Sequence, residues 1–230
     1  MGATDARATA IVVAAGAGSR LGADEPKAFL EVGGRPILVR AAEAAAASGV
    51  VERVVVAVPE GFETRARELL SSVGVPVDVV VGGATRQASV RAALASVPAS
   101  SGIVVVHDAA RCFASPALFG RVVAAVATGA VGAIPVLAVT DTVKRIDGGR
   151  AVSTVDRAGL GLAQTPQAFR RRELVDAHER AASAGVEATD DATLLEAGGD
   201  VRVVEGDPAN VKVTTPEDLA RMLAREAVDG

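Results

Sequence analysis

The stretch VVAAGAGSRLGADEPKAF, Val12 to Phe29, closes the chain's first apolar run with a glycine-rich turn. An apolar strand that runs straight into such a turn is how a doubly wound α/β sheet opens, with backbone N–H groups presented to an anion. The glycines Gly16, Gly18 and Gly22 are spaced G-x-G-x-x-x-G, which is one residue too long for the dinucleotide fingerprint. The next strand candidate ends in Val58-Pro59, with no acidic residue to hold an adenosine ribose. No Gly-Lys-Ser/Thr occurs anywhere, so a P-loop is excluded as well. What the turn does carry is Arg20 and, after Pro26, Lys27. Two cations beside exposed N–H groups suit a triphosphate and the charge that develops at its α-phosphorus. The plainer alternative is a strand-to-loop turn with solvated charges.

Outward from this turn, short β-rich runs alternate with alanine-rich helical patterns. Strands are expected over 9–15, 53–58, 76–82, 102–108, 130–139 and 200–206. Several are almost continuously apolar, as parallel strands covered on both faces are. The helices between them have readable ends. Ser115-Pro116 suits an N-cap and first position, with Gly129 closing that helix. Val90, Ala93, Leu94 and Val97 keep helical spacing after GGATRQAS, and Thr215-Pro216-Glu217-Asp218 opens the last helix as a capping box. The fold class is therefore α/β, a doubly wound and mostly parallel, Rossmann-like sheet that binds its ligand at the carboxyl ends of its strands.

One segment breaks the alternation. Residues 141–157, DTVKRIDGGRAVSTVDR, read as two polar-alternating strands around Asp147-Gly148-Gly149, a hairpin signal. Its faces are too polar to join the main core, so it should project as an arm, and a second copy of the chain is the economical thing for it to pack on. With no linker or repeat to divide it, the chain is expected to form one domain over 1–230 with this arm attached.

Composition narrows the function. Half of the 230 residues are hydrophobic, yet no run reaches the ~20 apolar residues of a membrane span. The N-terminal MGATDARATA lacks a secretory signal's apolar core, and Ala6 stands where N-myristoylation favours a hydroxyl residue. A single cysteine, Cys112, excludes an internal disulfide or a cysteine-rich metal site, and His107 and His178 alone leave little for a histidine-based one. A cytoplasmic protein is expected. The net charge of −4 offers no basic stripe for nucleic acid, and no Trp or Tyr is present to stack on bases. Among 24 basic residues only Lys27, Lys144 and Lys212 are lysines. Against an arginine-rich background, a retained lysine points to a need for a compact, flexible ammonium, or to chance survival at the surface.

Further along, Gly82 and Gly83 end a strand where a base would need room, with Arg86 and Ser89 at the following helix start. Asp108 ends the strand of VHDAARC, where a carboxylate could meet a ribose hydroxyl, Mg²⁺ or an acceptor hydroxyl, or simply pair with Arg111. His107 should face the opposite side of the strand in a structural role. Thr189 precedes Asp190-Asp191, which is also an ordinary helix start. Lys212 lies in a strand-like stretch just before the Thr215 cap.

The pattern A-A-G-x-G-x-R-(x)6-K after a first strand resembles the nucleotidyltransferase signature of the sugar-phosphate pyrophosphorylase type. VGGATRQASV, VHDAARC, TVDRAGLGLAQTPQAF and NVKVTTPEDL, in this order and over nearly the whole chain, resemble the segments of the 2-C-methyl-D-erythritol 4-phosphate cytidylyltransferase family of the non-mevalonate isoprenoid pathway. The resemblance implies CMP transfer from CTP to the methylerythritol phosphate, with Mg²⁺ as cofactor and a homodimer joined through the 141–157 arm. It implies a CTP site of Ala14, Ala15, Gly16, Gly18, Arg20, Lys27, Gly82, Gly83, Arg86, Ser89, Asp108 and Ala109. The acceptor would meet Asp108, Arg111, Thr142, Arg157, Thr165, Thr189 and Lys212, with Arg157 reaching across from a neighbouring subunit. Arg20, Lys27, Arg157 and Lys212 would be the catalytic cations. Val13, Ala84 and Cys112 depart from the family's usual residues without removing any of these side chains. A rival within the class is a cytidylyltransferase for another polyol phosphate such as ribitol 5-phosphate. Outside it stands a non-catalytic nucleotide-binding protein, which need not keep all four cations.

Overall fold

The computed structural model describes residues 6–16 and 25–229. All six anticipated strands are present. β1 (Ala8–Val13) is followed by a minimal hairpin of β2 (Glu31–Val32) and β3 (Arg35–Pro36), then α1 (Ile37–Ala46) and β4 (Val51–Val58). Next come α2 (Glu63–Leu69), β5 (Val77–Val81), α3 (Arg86–Leu94), β6 (Ile103–Asp108), α4 (Pro116–Ala127) and β7 (Gly132–Ala138). The arm is β8 (Val143–Asp147) and β9 (Arg150–Val155); β10 (Gly161–Ala163), β11 (Gln167–Arg170), α5 (Arg171–Ala184), β12 (Val201–Glu205) and α6 (Pro216–Asp229) complete the order.

The main sheet runs β10-β7-β11-β6-β1-β4-β5, with β12 paired to β7. β1 pairs in parallel with both β4 and β6, so the strand order reverses at β1, the switch point where such sheets open a crevice. Both faces are covered, and residue parity shows how. Ala10, Val12, Val54, Val56 and Val105 pack into one core with α1 and α4, while Ile11, Val55, Val104 and Val106 pack into the other with α3 and α5. Strands buried on both faces have no polar side to show, which is why they read as unbroken apolar runs.

Three local outcomes differ from the sequence reading. Two strands within 161–170 were not anticipated: β10 and β11 both run antiparallel to β7, and β11 wedges between β7 and β6. They are only 3 and 4 residues long, too short for an alternation to show. Residues around Lys212 form no strand, because 211–214 are held instead by irregular bonds such as Val213 N–H to the Ala110 carbonyl, 2.8 Å. Ser115 precedes the N-terminal proline of α4 as expected, but its hydroxyl donates to Asp207 Oδ2 at 3.2 Å and caps nothing.

The arm takes the expected form. β8 and β9 pair only with each other, and the turn residues Gly148 and Gly149 have φ of 51° and 77°, as the tightest hairpin turns demand. At the far end of the chain the capping box is reciprocal: Asp218 N–H donates to Thr215 Oγ1 at 3.2 Å, and Thr215 N–H donates to Asp218 Oδ2 at 3.0 Å. Among the described residues no helix is long and apolar enough to cross a membrane.

Candidate active site

In the β1–β6 pair Val13 lies in register with Asp108, so both strands deliver their carboxyl ends to one crevice. A cavity of about 530 Å³ opens there. Ala14, Ala15 and Gly16 form its wall after β1, Lys27 stands at one side, and Gly83, Arg86 and Ser89 line the start of α3. Asp108, Ala109 and Lys212 complete the polar floor.

Local packing explains why glycines sit beside this cavity. A Cβ on Gly82 would lie 2.3 Å from the Ala15 Cβ, and one on Gly83 would lie 2.5 Å from the Ala88 Cβ. The two glycines therefore let β5 close against the turn after β1 and against α3, which is a packing requirement as well as room for a ligand. Ser89 is buried, accepts the Gly83 N–H at 3.1 Å and donates to the Thr85 carbonyl at 2.9 Å. Its hydroxyl thus shapes the loop from beneath. Thr85 caps α3, accepting from Ala88 N–H at 3.2 Å.

The charged groups form one chain across the floor. Asp108 Oδ1 accepts from Arg86 Nε at 2.9 Å and Oδ2 accepts from Lys212 Nζ at 2.7 Å. Arg86 Nη1 reaches on to Asp191 Oδ2 at 2.8 Å, and Asp191 Oδ1 meets His178 Nε2 at 2.9 Å. Burial alone would raise the Asp108 carboxyl, but the Arg86 and Lys212 cations outweigh it and hold Asp108 well below the usual carboxylate range. Asp191 is lowered in the same way, its burial outweighed by Arg86 and the His178 hydrogen bond. Arg86 is raised, with its own burial offset by the two carboxylates. All three groups are therefore charged at neutral pH. Asp108 does not pair with Arg111: that guanidinium donates instead to the carbonyls of Asn210, at 2.7 Å, and Ala163, at 3.3 Å. Lys27 Nζ donates to the carbonyl of Val213, next in sequence to Lys212, so both lysines belong to one wall.

His107 turns away from the cavity as expected. It is fully buried, lies edge-on to Phe119 with ring centroids 5.0 Å apart, and its Nδ1 is 3.2 Å from Thr165 Oγ1. That hydroxyl also accepts the Asp108 N–H at 3.0 Å, and Nε2 of the imidazole has no hydrogen-bond partner. Burial lowers the His107 pKa to about 4.

The remaining sequence-named residues are placed apart from the cavity. Thr142 and Arg157 are exposed at the base of the arm, where Arg157 donates to the Thr140 carbonyl. Thr189 is exposed, and the turn that follows is capped by Asp190, which accepts from Thr193 N–H at 3.1 Å. Thr165 and Arg111 lie behind the cavity floor, joined to it through Asp108 and the 207–213 segment. Gly18 and Arg20 fall outside the described residues. Sequence reasoning missed Asp191, His178 and Thr214, of which Thr214 lines the cavity, Asp191 anchors Arg86 and His178 bonds Asp191. Only the paired acids Asp190-Asp191 signalled anything there.

Three cations and one carboxylate among the described lining residues leave two net positive charges at the end of a parallel sheet, an environment for an anionic, multiply charged ligand. Comparison with known proteins points the same way. The family model described as IspD, 2-C-methyl-D-erythritol 4-phosphate cytidylyltransferase, matches residues 8–226. A protein from Nocardia farcinica with that same name is 47% identical over 217 residues, covering 94% of this chain and 92% of the relative. The bifunctional enzyme IspD/IspF of Rhodopseudomonas palustris is 49% identical over 225 residues, and the match covers 95% of this chain but 56% of that protein. The chain thus spans little more than half the length of the bifunctional relatives it matches. Among solved structures, the 2-C-methyl-D-erythritol 4-phosphate cytidylyltransferase of Thermus thermophilus superposes with a TM-score of 0.80 at 38% identity, covering 96% of this chain and 99% of that one. The 4-diphosphocytidyl-2C-methyl-D-erythritol synthase of Anaerococcus prevotii gives a TM-score of 0.85 at 28% identity, covering 97% and 99%.

Proposed function

Since the chain belongs to the 2-C-methyl-D-erythritol 4-phosphate cytidylyltransferase family, we propose that it transfers CMP from CTP to 2-C-methyl-D-erythritol 4-phosphate, giving 4-diphosphocytidyl-2-C-methyl-D-erythritol and pyrophosphate. The observation that carries this reading is the wall of Lys27 and Lys212 facing the Asp108 floor at the β1–β6 switch point. A phosphate oxygen of the acceptor attacks the α-phosphorus in line. The new O–P bond forms as the bond to the β-phosphate oxygen breaks, and the electron pair leaves with pyrophosphate. The nucleophile is already anionic near neutral pH, so no general base is required. That agrees with a floor whose carboxylate, Asp108, stays ionised and whose neighbouring imidazole, His107, faces inward.

Catalysis then rests on positioning and on charge stabilisation. In this reading Arg20 and Lys27 stabilise the α-phosphate as its charge grows. Lys212, oriented by its 2.7 Å bond to Asp108, aims the acceptor phosphate. The backbone after β1, from Ala14 to Gly16, cradles the nucleotide. Residues Thr142, Arg157 and Thr189 would meet the acceptor, the first two from the arm of a second subunit.

Mg²⁺ fits the donor set. Among the described residues no group of three acidic, histidine or cysteine side chains could hold a metal by itself, and Asp108 is the one carboxylate lining the cavity. That suits an ion bound mainly through substrate phosphates and assisted by a single carboxylate. When bound it would neutralise phosphate charge.

A homodimer through the arm is supported by exposed apolar side chains on it, Ile146 at 68% and Val152 at 55% of their full exposure. A cytoplasmic location fits the reading, because CTP is a cytoplasmic substrate. The test is pyrophosphate release with CTP and Mg²⁺, offering methylerythritol phosphate and ribitol 5-phosphate separately. Release with the first alone is expected. Release with the second alone would reassign the acceptor and keep the reaction class.

A further inference from the structure

Two adjacent residues at the start of α3 grip a segment about a hundred positions away. Gln87 donates from Nε2 to the Val186 carbonyl at 3.0 Å and accepts the Ala188 N–H on its Oε1 at 2.8 Å. Its neighbour Arg86 holds Asp191, at the far end of the same segment, by the 2.8 Å bond from Nη1. The segment 186–191 is therefore fixed at both ends, with Thr189 between the anchors and exposed. Residues 186–191 contain neither helix nor strand; Val186 N–H also donates to the Ala181 carbonyl at 2.9 Å, Asp190 accepts from Gln167 Nε2 at 2.8 Å, and Asp191 meets His178, so Gln87 is what holds the stretch between them.

The same guanidinium that takes Asp191 also takes Asp108, at 2.9 Å, and Asp108 holds Lys212. The grip on the segment and the aim of the Lys212 ammonium thus share one rigid side chain. Gln87 uses donor and acceptor together on main-chain groups two residues apart, so its amide fixes both the distance and the direction of the segment. It lines no part of the active-site cavity and touches no group of the nucleotide-side wall.

We propose that Gln87 is a positioning residue for the acceptor: by clamping 186–188 beside the Arg86–Asp191 bridge, it sets the acceptor-side segment against Asp108 and Lys212. The inference rests on the transferase reading above. Its consequence is a split between the two substrates. Losing the clamp loosens the acceptor side, while the turn after β1 and the glycines before α3 keep their own packing.

The test compares wild type with Gln87→Ala, with Gln87→Glu, which keeps the shape but sets a carboxylate against the Val186 carbonyl, and with Arg121→Ala as an exposed control on α4. KM for methylerythritol phosphate, KM for CTP, kcat and thermal midpoint are measured for each. Gln87→Ala loses both bonds and Gln87→Glu loses the one to the Val186 carbonyl and sets a charge against it, so the acceptor KM is expected to rise about tenfold in each, with the CTP KM within about twofold and the Arg121 variant like wild type. An acceptor KM within twofold of wild type overturns the inference, and so does a CTP KM that rises in step with it. Wild-type protein that turns over no polyol phosphate at all overturns the transferase reading itself, a result distinct from active wild type with unaffected variants.

Discussion

His107 makes the stability of this protein depend on pH in a window where few other groups titrate. The ring is fully buried against Phe119, shares one hydrogen bond between Nδ1 and the Thr165 hydroxyl, and leaves Nε2 without a partner. Protonating it would place a charge in the core. Burial accordingly lowers its pKa to about 4 from the ordinary 6.5. The sign follows directly: the unfolded chain takes up a proton as pH drops below 6.5, the folded chain does not until about pH 4, so stability is lost across that interval. At pH 5 the loss from this one residue is about 2 kcal/mol relative to pH 8, rising to about 3 kcal/mol below pH 4. Urea denaturation of wild type and His107→Gln at pH 8, 7, 6 and 5 measures it. The difference between the two proteins should close by that amount on acidification, because groups common to both cancel. Parallel pH profiles, or an imidazole that titrates near 6.5 by NMR in the folded protein, would refute the reasoning.

Other consequences concern the site and the arm. Lys27→Ala should lower turnover by about 10²–10³-fold while the thermal midpoint stays near wild type, and unchanged pyrophosphate release would remove Lys27 from the mechanism. Asp108→Asn removes a buried carboxylate, side-chain exposure 10%, from between Arg86 and the half-exposed Lys212, and should cost about 3 kcal/mol in urea denaturation; a loss under about 1 kcal/mol would contradict the assigned pairing with Arg86 and Lys212. Replacing both Ile146 and Val152 by Asp should convert a dimer to monomer in sedimentation at micromolar concentration, whereas a variant that still dimerises would place the interface elsewhere.

The β1 turn carried the decision about the fold because its chemistry is local. A strand, a glycine turn and two cations lie within eighteen residues, and a rare lysine in an arginine-rich chain marks itself. The arm was legible for the same reason, since Gly148 and Gly149 announce their own φ. β10 and β11 were not legible: an antiparallel strand of 4 residues between β6 and β7 is fixed by its neighbours and not by its own pattern. The ion-pair chain was hidden by distance. Arg86 finds its partners 22 and 105 positions away, and Lys212 finds Asp108 104 positions away. Hence Arg86 reads in sequence as a nucleotide contact, and its bonds to two carboxylates do not show. Gln87 gave no signal at all, because a glutamine that bonds main chain has no partner type to look for.

The central claim is that the phosphorus attacked is the α-phosphorus of CTP, at the cavity between β1 and β6. CTP radiolabelled at the α-phosphorus tests it directly when incubated with the protein, Mg²⁺ and methylerythritol phosphate. The account predicts that the label moves into the acceptor as a diphosphate ester while unlabelled pyrophosphate is released in equal amount. Label recovered in CDP with free phosphate released would mean cleavage between the β- and γ-phosphates and would contradict it.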